Sequence, residues 1–215
     1  LASRLSPEEA GGDFAPDAER LGVVLGELHA LMAEAWGSAP ADTSAWVAQM
    51  GEQLDEVSGE AGDRLPAGVD PEVIRGRYRH LLHLAGTGAG AQIRIHGDLH
   101  LAQVLRVDDG WRVLDFEGEP ARRRDERFTT SSPLRDVAGI LRSLHYAAAT
   151  GLADWGDADG ELSELASHWE DRNRVAFLRG YLDVDPAVEL LPADEDARAE
   201  VLRAFELDKA VYELA

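Results

Sequence analysis

The apolar positions of the first third of the chain recur at helical spacing. Leu21, Val24, Leu25, Leu28 and Met32 predict a helix over 16–36 with Pro16 near its first turn. Trp46, Val47, Met50, Leu54 and Val57 predict a second over 43–58. The stretch from Gly59 to Pro71 carries glycine and proline at both ends and reads as a loop. Pro71 then opens a third helix through Ile74, Tyr78, Leu81 and Leu82 to about Leu84. The period changes at Gln92-Ile93-Arg94-Ile95, which alternates like a strand. Val104–Val107 and Trp111–Leu114 flank Asp108-Asp109-Gly110 and read as a hairpin, with Gly110 supplying a positive-φ turn. Helical spacing returns after Pro133, over 161–182 and over 194–213. The pattern predicts one helix-rich α+β domain around a small hairpin. Gly86-Thr87-Gly88-Ala89-Gly90 follows a helix and precedes a strand. That is the reverse of a phosphate loop, so it reads as a connection.

Composition narrows the function classes. The 215 residues are 45% hydrophobic and 29% charged, as in an ordinary folded protein. No apolar run approaches membrane-spanning length. A formal net charge of −20 disfavours nucleic acid and anionic membranes as partners. The basic run Arg122-Arg123-Arg124 is followed by two acids and reads as a solvated loop. The absence of cysteine rules out disulfides, thiolate metal sites and thiol catalysis, and fits a cytoplasmic protein. The chain begins without Met and stops on helical sequence, which leads us to expect a piece of a longer protein. His29, His80, His83, His145 and His168 fall on helical patterns, and their spacings suggest no metal site.

The chemistry concentrates in His96-Gly97-Asp98-Leu99-His100-Leu101-Ala102-Gln103 and in Asp115-Phe116-Glu117. A loop carboxylate, an amide five residues later and a carboxylate after the next strand are what phosphoryl transfer needs. One group orients a hydroxyl and two oxygens hold magnesium. Taken singly, Asp98 could cap a turn and Asp115 close a hairpin; together they point to catalysis.

These motifs resemble the catalytic and metal loops of the aminoglycoside phosphotransferase and choline kinase superfamily, relatives of the protein kinases. The stretches 96–106, 115–120, 132–139 and Glu206-Leu207-Asp208-Lys209-Ala210-Val211-Tyr212-Glu213 are similar to the actinobacterial maltokinase and glucosamine kinase group. That group also carries glutamine at the position of Gln103, where the wider superfamily has asparagine. The resemblance, from about Gly11 to the end, implies a mostly helical C-terminal lobe of a protein-kinase-like fold. It implies Asp98 as catalytic base, with Gln103 and Asp115 as magnesium ligands.

Glu117 either faces the same site or fixes its loop, and Arg135 and Asp136 either brace the catalytic loop or cap a helix. His100 is a candidate for the sugar pocket. Glu206, Asp208 and Glu213 are candidates for a cationic acceptor. ATP is the implied phosphoryl donor. No glycine-rich lid or phosphate-binding lysine is apparent, so the nucleotide-binding N-terminal lobe is expected elsewhere in the same polypeptide. Glucosamine is narrowly favoured over maltose as acceptor, because the chain is acidic and because Leu101-Ala102-Gln103 departs from the usual maltokinase sequence. A non-catalytic kinase-like binding module is the remaining alternative.

Overall fold

The structure is a computed structural model that describes residues 13–58, 64–108, 110–116, 130–155 and 161–214. It is mostly helical, with two small antiparallel sheets, as the α+β expectation has it. In chain order the elements are α1 (Ala15–Trp36), β1 (Ser38–Pro40), α2 (Thr43–Ser58), α3 (Pro71–His80), β2 (Ala91–Arg94), β3 (Val104–Val107) and β4 (Gly110–Val113). They continue with β5 (Thr130–Ser131), α4 (Leu134–Trp155), α5 (Glu161–Leu182), α6 (Asp185–Val188) and α7 (Glu195–Tyr212). The predicted helices and the hairpin are all present. The third helix is shorter than expected, because the backbone tightens to 3-10 geometry over Leu81–Leu84. Among the described residues, no helix is long and apolar enough to cross a membrane.

The chain divides into two compact units. One comprises Leu1–Ala30, His100–Asp115 and Ile140–Val188; the other comprises Leu31–Leu99, Phe116–Gly139 and Glu189–Ala215.

In the first unit α1 and α5 cross at backbone distance. A β-carbon on Gly22 would strike the Phe177 carbonyl, and one on Gly180 would strike the Glu19 carbonyl. Leu21, Leu25, Phe177 and Tyr181 fill this contact. His29, fully buried, shares a 2.8 Å hydrogen bond between its Nδ1 and the Tyr181 hydroxyl. The polar ring is thereby satisfied inside an apolar helix pair. The β3–β4 hairpin joins this unit through Trp111, whose indole N–H donates to the Asp17 carbonyl at 3.0 Å. Gly110 closes the hairpin at φ +137°, as its sequence requires.

The second unit packs α2 against α3 and α7. Trp46 meets Phe205 edge to face, and Met50, Leu54, Val57, Tyr78, Leu81, Val201 and Val211 are buried in the same unit. α3 begins properly: Asp70 accepts from the Glu72 amide and Pro71 occupies the first turn. The three-stranded sheet runs β1-β2-β5, with Ile93 at its centre fully buried. Its job is to deliver the chain, at the end of β2, into the His96 loop.

Candidate active site

The loop that follows β2 is held by α4. Gly97 takes a left-handed conformation at φ +89°, which turns the chain sharply after His96. At that turn the buried Asp136, in the first turn of α4, accepts the His96 amide on Oδ2 and the Gly97 amide on Oδ1, each at 2.8 Å. Bonds of this charge-assisted kind are worth about 1.5–3 kcal/mol apiece, and a buried carboxylate needs them. These two bonds tie the loop to the start of α4. Both oxygens of Asp136 accept from the loop backbone. One turn on, Gly139 lies against the Leu99 carbonyl so closely that any β-carbon would displace it. Leu99 is buried, whereas Asp98 between it and Gly97 is half-exposed.

Asp98 does not stand alone. Its Oδ1 accepts from Lys209 Nζ at 2.8 Å, and the same ammonium lies 4.8 Å from the centre of the Tyr212 ring. Asp98, Arg135, Gln53, Phe205, Asp208 and Tyr212 line a cavity of about 20 Å³, the size of a single water. Asp208 is almost wholly buried there, and both its carboxylate and its backbone carbonyl accept from the Gln53 amide, at 3.2 and 2.9 Å.

Gln103 and Asp115 belong to the other unit. The chain enters it with a 3-10 turn over Leu101–Gln103, pinned by the Leu101 amide donating to Ser143 Oγ at 3.1 Å on α4. At the open end of the hairpin the Leu114 amide donates to the Gln103 carbonyl at 2.8 Å, which extends the β3–β4 pairing by one bond. Asp115 follows in a left-handed conformation, φ +59°, which among non-glycine residues aspartate tolerates better than most. The side chains then meet: Gln103 Nε2 donates to Asp115 Oδ2 at 3.1 Å. The Gln103 amide and the Asp115 carboxylate therefore lie side by side on an exposed edge, and a turn of the amide would set its oxygen beside the carboxylate. This all-oxygen, partly filled donor set fits magnesium, which takes one or two protein oxygens and completes its shell with phosphate and water.

The remaining candidates separate by position. Arg135 and Asp208 line the Asp98 cavity; Glu206 on α7 and Glu213 just after it do not, Glu206 being half-buried and Glu213 exposed. His100 is half-buried at the start of the other unit's segment. Glu117 and Arg122–Arg124 lie outside the described residues. The sequence reading missed Lys209, Gln53 and Tyr212. Lys209 sits among acids on a helix that reads as solvated, and nothing local announces that it reaches back 111 residues to Asp98.

Comparison with known proteins points one way. The chain is 36% identical over 149 residues to a glucosamine kinase of Streptacidiphilus jiangxiensis, covering 66% of this chain and 33% of that protein. It is 34% identical over 200 residues to a glucosamine kinase of Mycolicibacterium smegmatis, covering 90% of this chain and 47% of that one. A solved glucosamine kinase in complex with glucosamine, ADP and inorganic phosphate superposes with a TM-score of 0.76 at 29% identity, covering 99% of this chain and 51% of that structure. A second crystal form of glucosamine kinase superposes with a TM-score of 0.77 at 28% identity, covering 99% and 50%. No family model matches the chain. The chain spans half or less of the length of the curated relatives it matches.

Proposed function

We propose that this chain carries the acceptor side and the catalytic loops of an ATP-dependent sugar kinase that phosphorylates glucosamine. The observation that carries the reading is the likeness, over 99% of the chain, to a glucosamine kinase solved with glucosamine, ADP and phosphate. Three features of the site support it. The loop bearing Asp98 is fixed at both ends by α4, which suits a group that must be held in place rather than merely present. Asp98 is a carboxylate that can accept and orient the proton of a sugar hydroxyl. Gln103 and Asp115 are paired oxygen donors of the kind magnesium takes; when bound, the ion would neutralise charge on the phosphates of ATP.

Within this reading Asp98 orients the acceptor hydroxyl and takes its proton as the oxygen attacks the terminal phosphorus of ATP, whose bond to the bridging oxygen breaks to release ADP. Asp136 and Gly139 are positioning residues. Asp208, the α7 carboxylate nearest to this chemistry by its place in the cavity lining, is the preferred partner for the ammonium of an amino sugar. Lys209 would release Asp98 as the sugar hydroxyl takes its place on the carboxylate. Adenine and the inner phosphates are bound by a nucleotide lobe outside these residues. In this reading the protein works in the cytoplasm, on small molecules.

A coupled ADP-release assay on the complete polypeptide tests the reading, with glucosamine, maltose, glucose and an aminoglycoside as acceptors. ADP release that depends on glucosamine above the other three supports it. Dependence on maltose would keep the kinase and replace the acceptor. No acceptor-dependent ADP from any sugar would leave a kinase-like binding module.

A further inference from the structure

The far end of α3 holds a second cluster, which nothing in the kinase reading uses. His80 closes the α-helix and His83 lies three residues on, inside the 3-10 turn, so the two rings share one face with centroids 4.6 Å apart. α7 brings Glu200 to them, with Oε1 3.7 Å from His80 Nε2 and 3.7 Å from His83 Nδ1. All three belong to the same compact unit. One donor atom from each lies within 4.8 Å of the others. The carboxylate oxygen is the telling atom: it is shielded from solvent and has no hydrogen-bond partner. A shielded anionic oxygen without a partner is costly, and both imidazoles stand too far away to bond it directly.

We infer that His80, His83 and Glu200 form a binding site for a divalent transition-metal ion of the zinc type. Two imidazole nitrogens and one carboxylate oxygen are a donor set that suits zinc, nickel or copper and not magnesium or calcium, which prefer oxygen alone. Ligand atoms around a tetrahedral zinc stand about 3.3 Å apart, so the cluster closes on the ion by roughly 1 Å or more. The rings can make that movement, because their side chains are 69% and 51% exposed. His83 Nδ1, the nitrogen that faces Glu200, also lies 2.5 Å from the His80 carbonyl, and the ring must leave that carbonyl for the same nitrogen to take the ion. Three protein ligands leave the fourth position to water. Arg77 and Arg203 line the depression beside the cluster, and their charge opposes a cation. We therefore expect micromolar rather than nanomolar affinity. The ion would tie α3 to α7 at a place none of whose ligands lines the Asp98 cavity.

The test is a calorimetric titration of zinc into the tag-free, chelator-treated chain, with excess magnesium present to fill oxygen sites. One zinc per chain with a Kd of about 1–10 µM is expected. His80→Ala and His83→Ala should each weaken it at least about tenfold. Zinc should also raise the melting temperature of the unaltered chain and leave that of the double variant unchanged. Both histidines are exposed, so the variants should fold, and circular dichroism confirms it. The absence of saturable zinc binding up to about 100 µM, or unchanged affinity in the double variant, overturns the site.

Discussion

At the scale of single residues the candidate site turns on how one loop is held. The reach of Asp98 depends on Gly97 being left-handed, on Asp136 taking two backbone amides and on Gly139 leaving room for the Leu99 carbonyl. Asp98→Asn keeps the volume and removes the proton acceptor. Turnover of the complete enzyme should fall by about 10²–10⁴, with the circular dichroism spectrum unchanged. Retained turnover would take Asp98 out of the base role. Gly139→Ala tests the positioning separately. Its β-carbon must push the Leu99 carbonyl, and a displacement of about 1 Å at a reacting group can cost 10²-fold in rate. The expected result is a drop in kcat with little change in the KM for ATP. An unchanged kcat would mean that the loop yields without moving Asp98.

At the scale of elements, what could be read in advance was what has a period. α1, α2, α5 and α7 carry long apolar stripes, and α3 and α4 begin behind prolines. The β3–β4 hairpin carries its own turn residue. β1 and β5 have three and two residues, too short for any alternation to show, and β1 runs through Pro40 with every residue exposed. They exist because β2 needs partners on both edges, a fact fixed by tertiary pairing alone. The Asp98–Lys209 and Glu200–His80–His83 groupings were unreadable for the same reason: each joins α7 to chain more than a hundred residues earlier.

Tyr78 exposes a cost within the α2–α3–α7 packing. Its ring is fully buried and its hydroxyl has no hydrogen-bond partner. Burial, with a contribution from the nearby Asp208 charge, pushes the phenol above its ordinary value. The folded state therefore holds that proton more tightly than the unfolded chain. The stability this represents is complete below about pH 10 and is lost as pH climbs through and beyond the ordinary tyrosine range. Tyr78→Phe should leave the fold intact and raise stability at neutral pH by about 1 kcal/mol. It should also flatten the alkaline decline in a urea-unfolding series. A loss of stability at neutral pH would mean that the hydroxyl is in fact satisfied.

At the scale of the whole molecule, charge and length bear on the nucleotide. The chain has 41 acidic residues against 21 lysines and arginines, so an anionic nucleotide finds no general electrostatic attraction here. The parts that a kinase uses for the phosphates, a glycine-rich cover and a dedicated lysine, are not recognisable in the sequence. Lys209 is engaged by Asp98. The relatives are at least twice as long as the stretch they share with this chain. If the nucleotide lobe lies outside these residues, the 215-residue chain should bind a non-hydrolysable ATP analogue more weakly than a Kd of about 1 mM, even with magnesium supplied. Titration followed by calorimetry or by NMR line shifts would measure it. Micromolar binding would show that these residues hold the nucleotide unaided. The search for its pocket would then return to this chain, and the division of labour between two lobes would have to be abandoned.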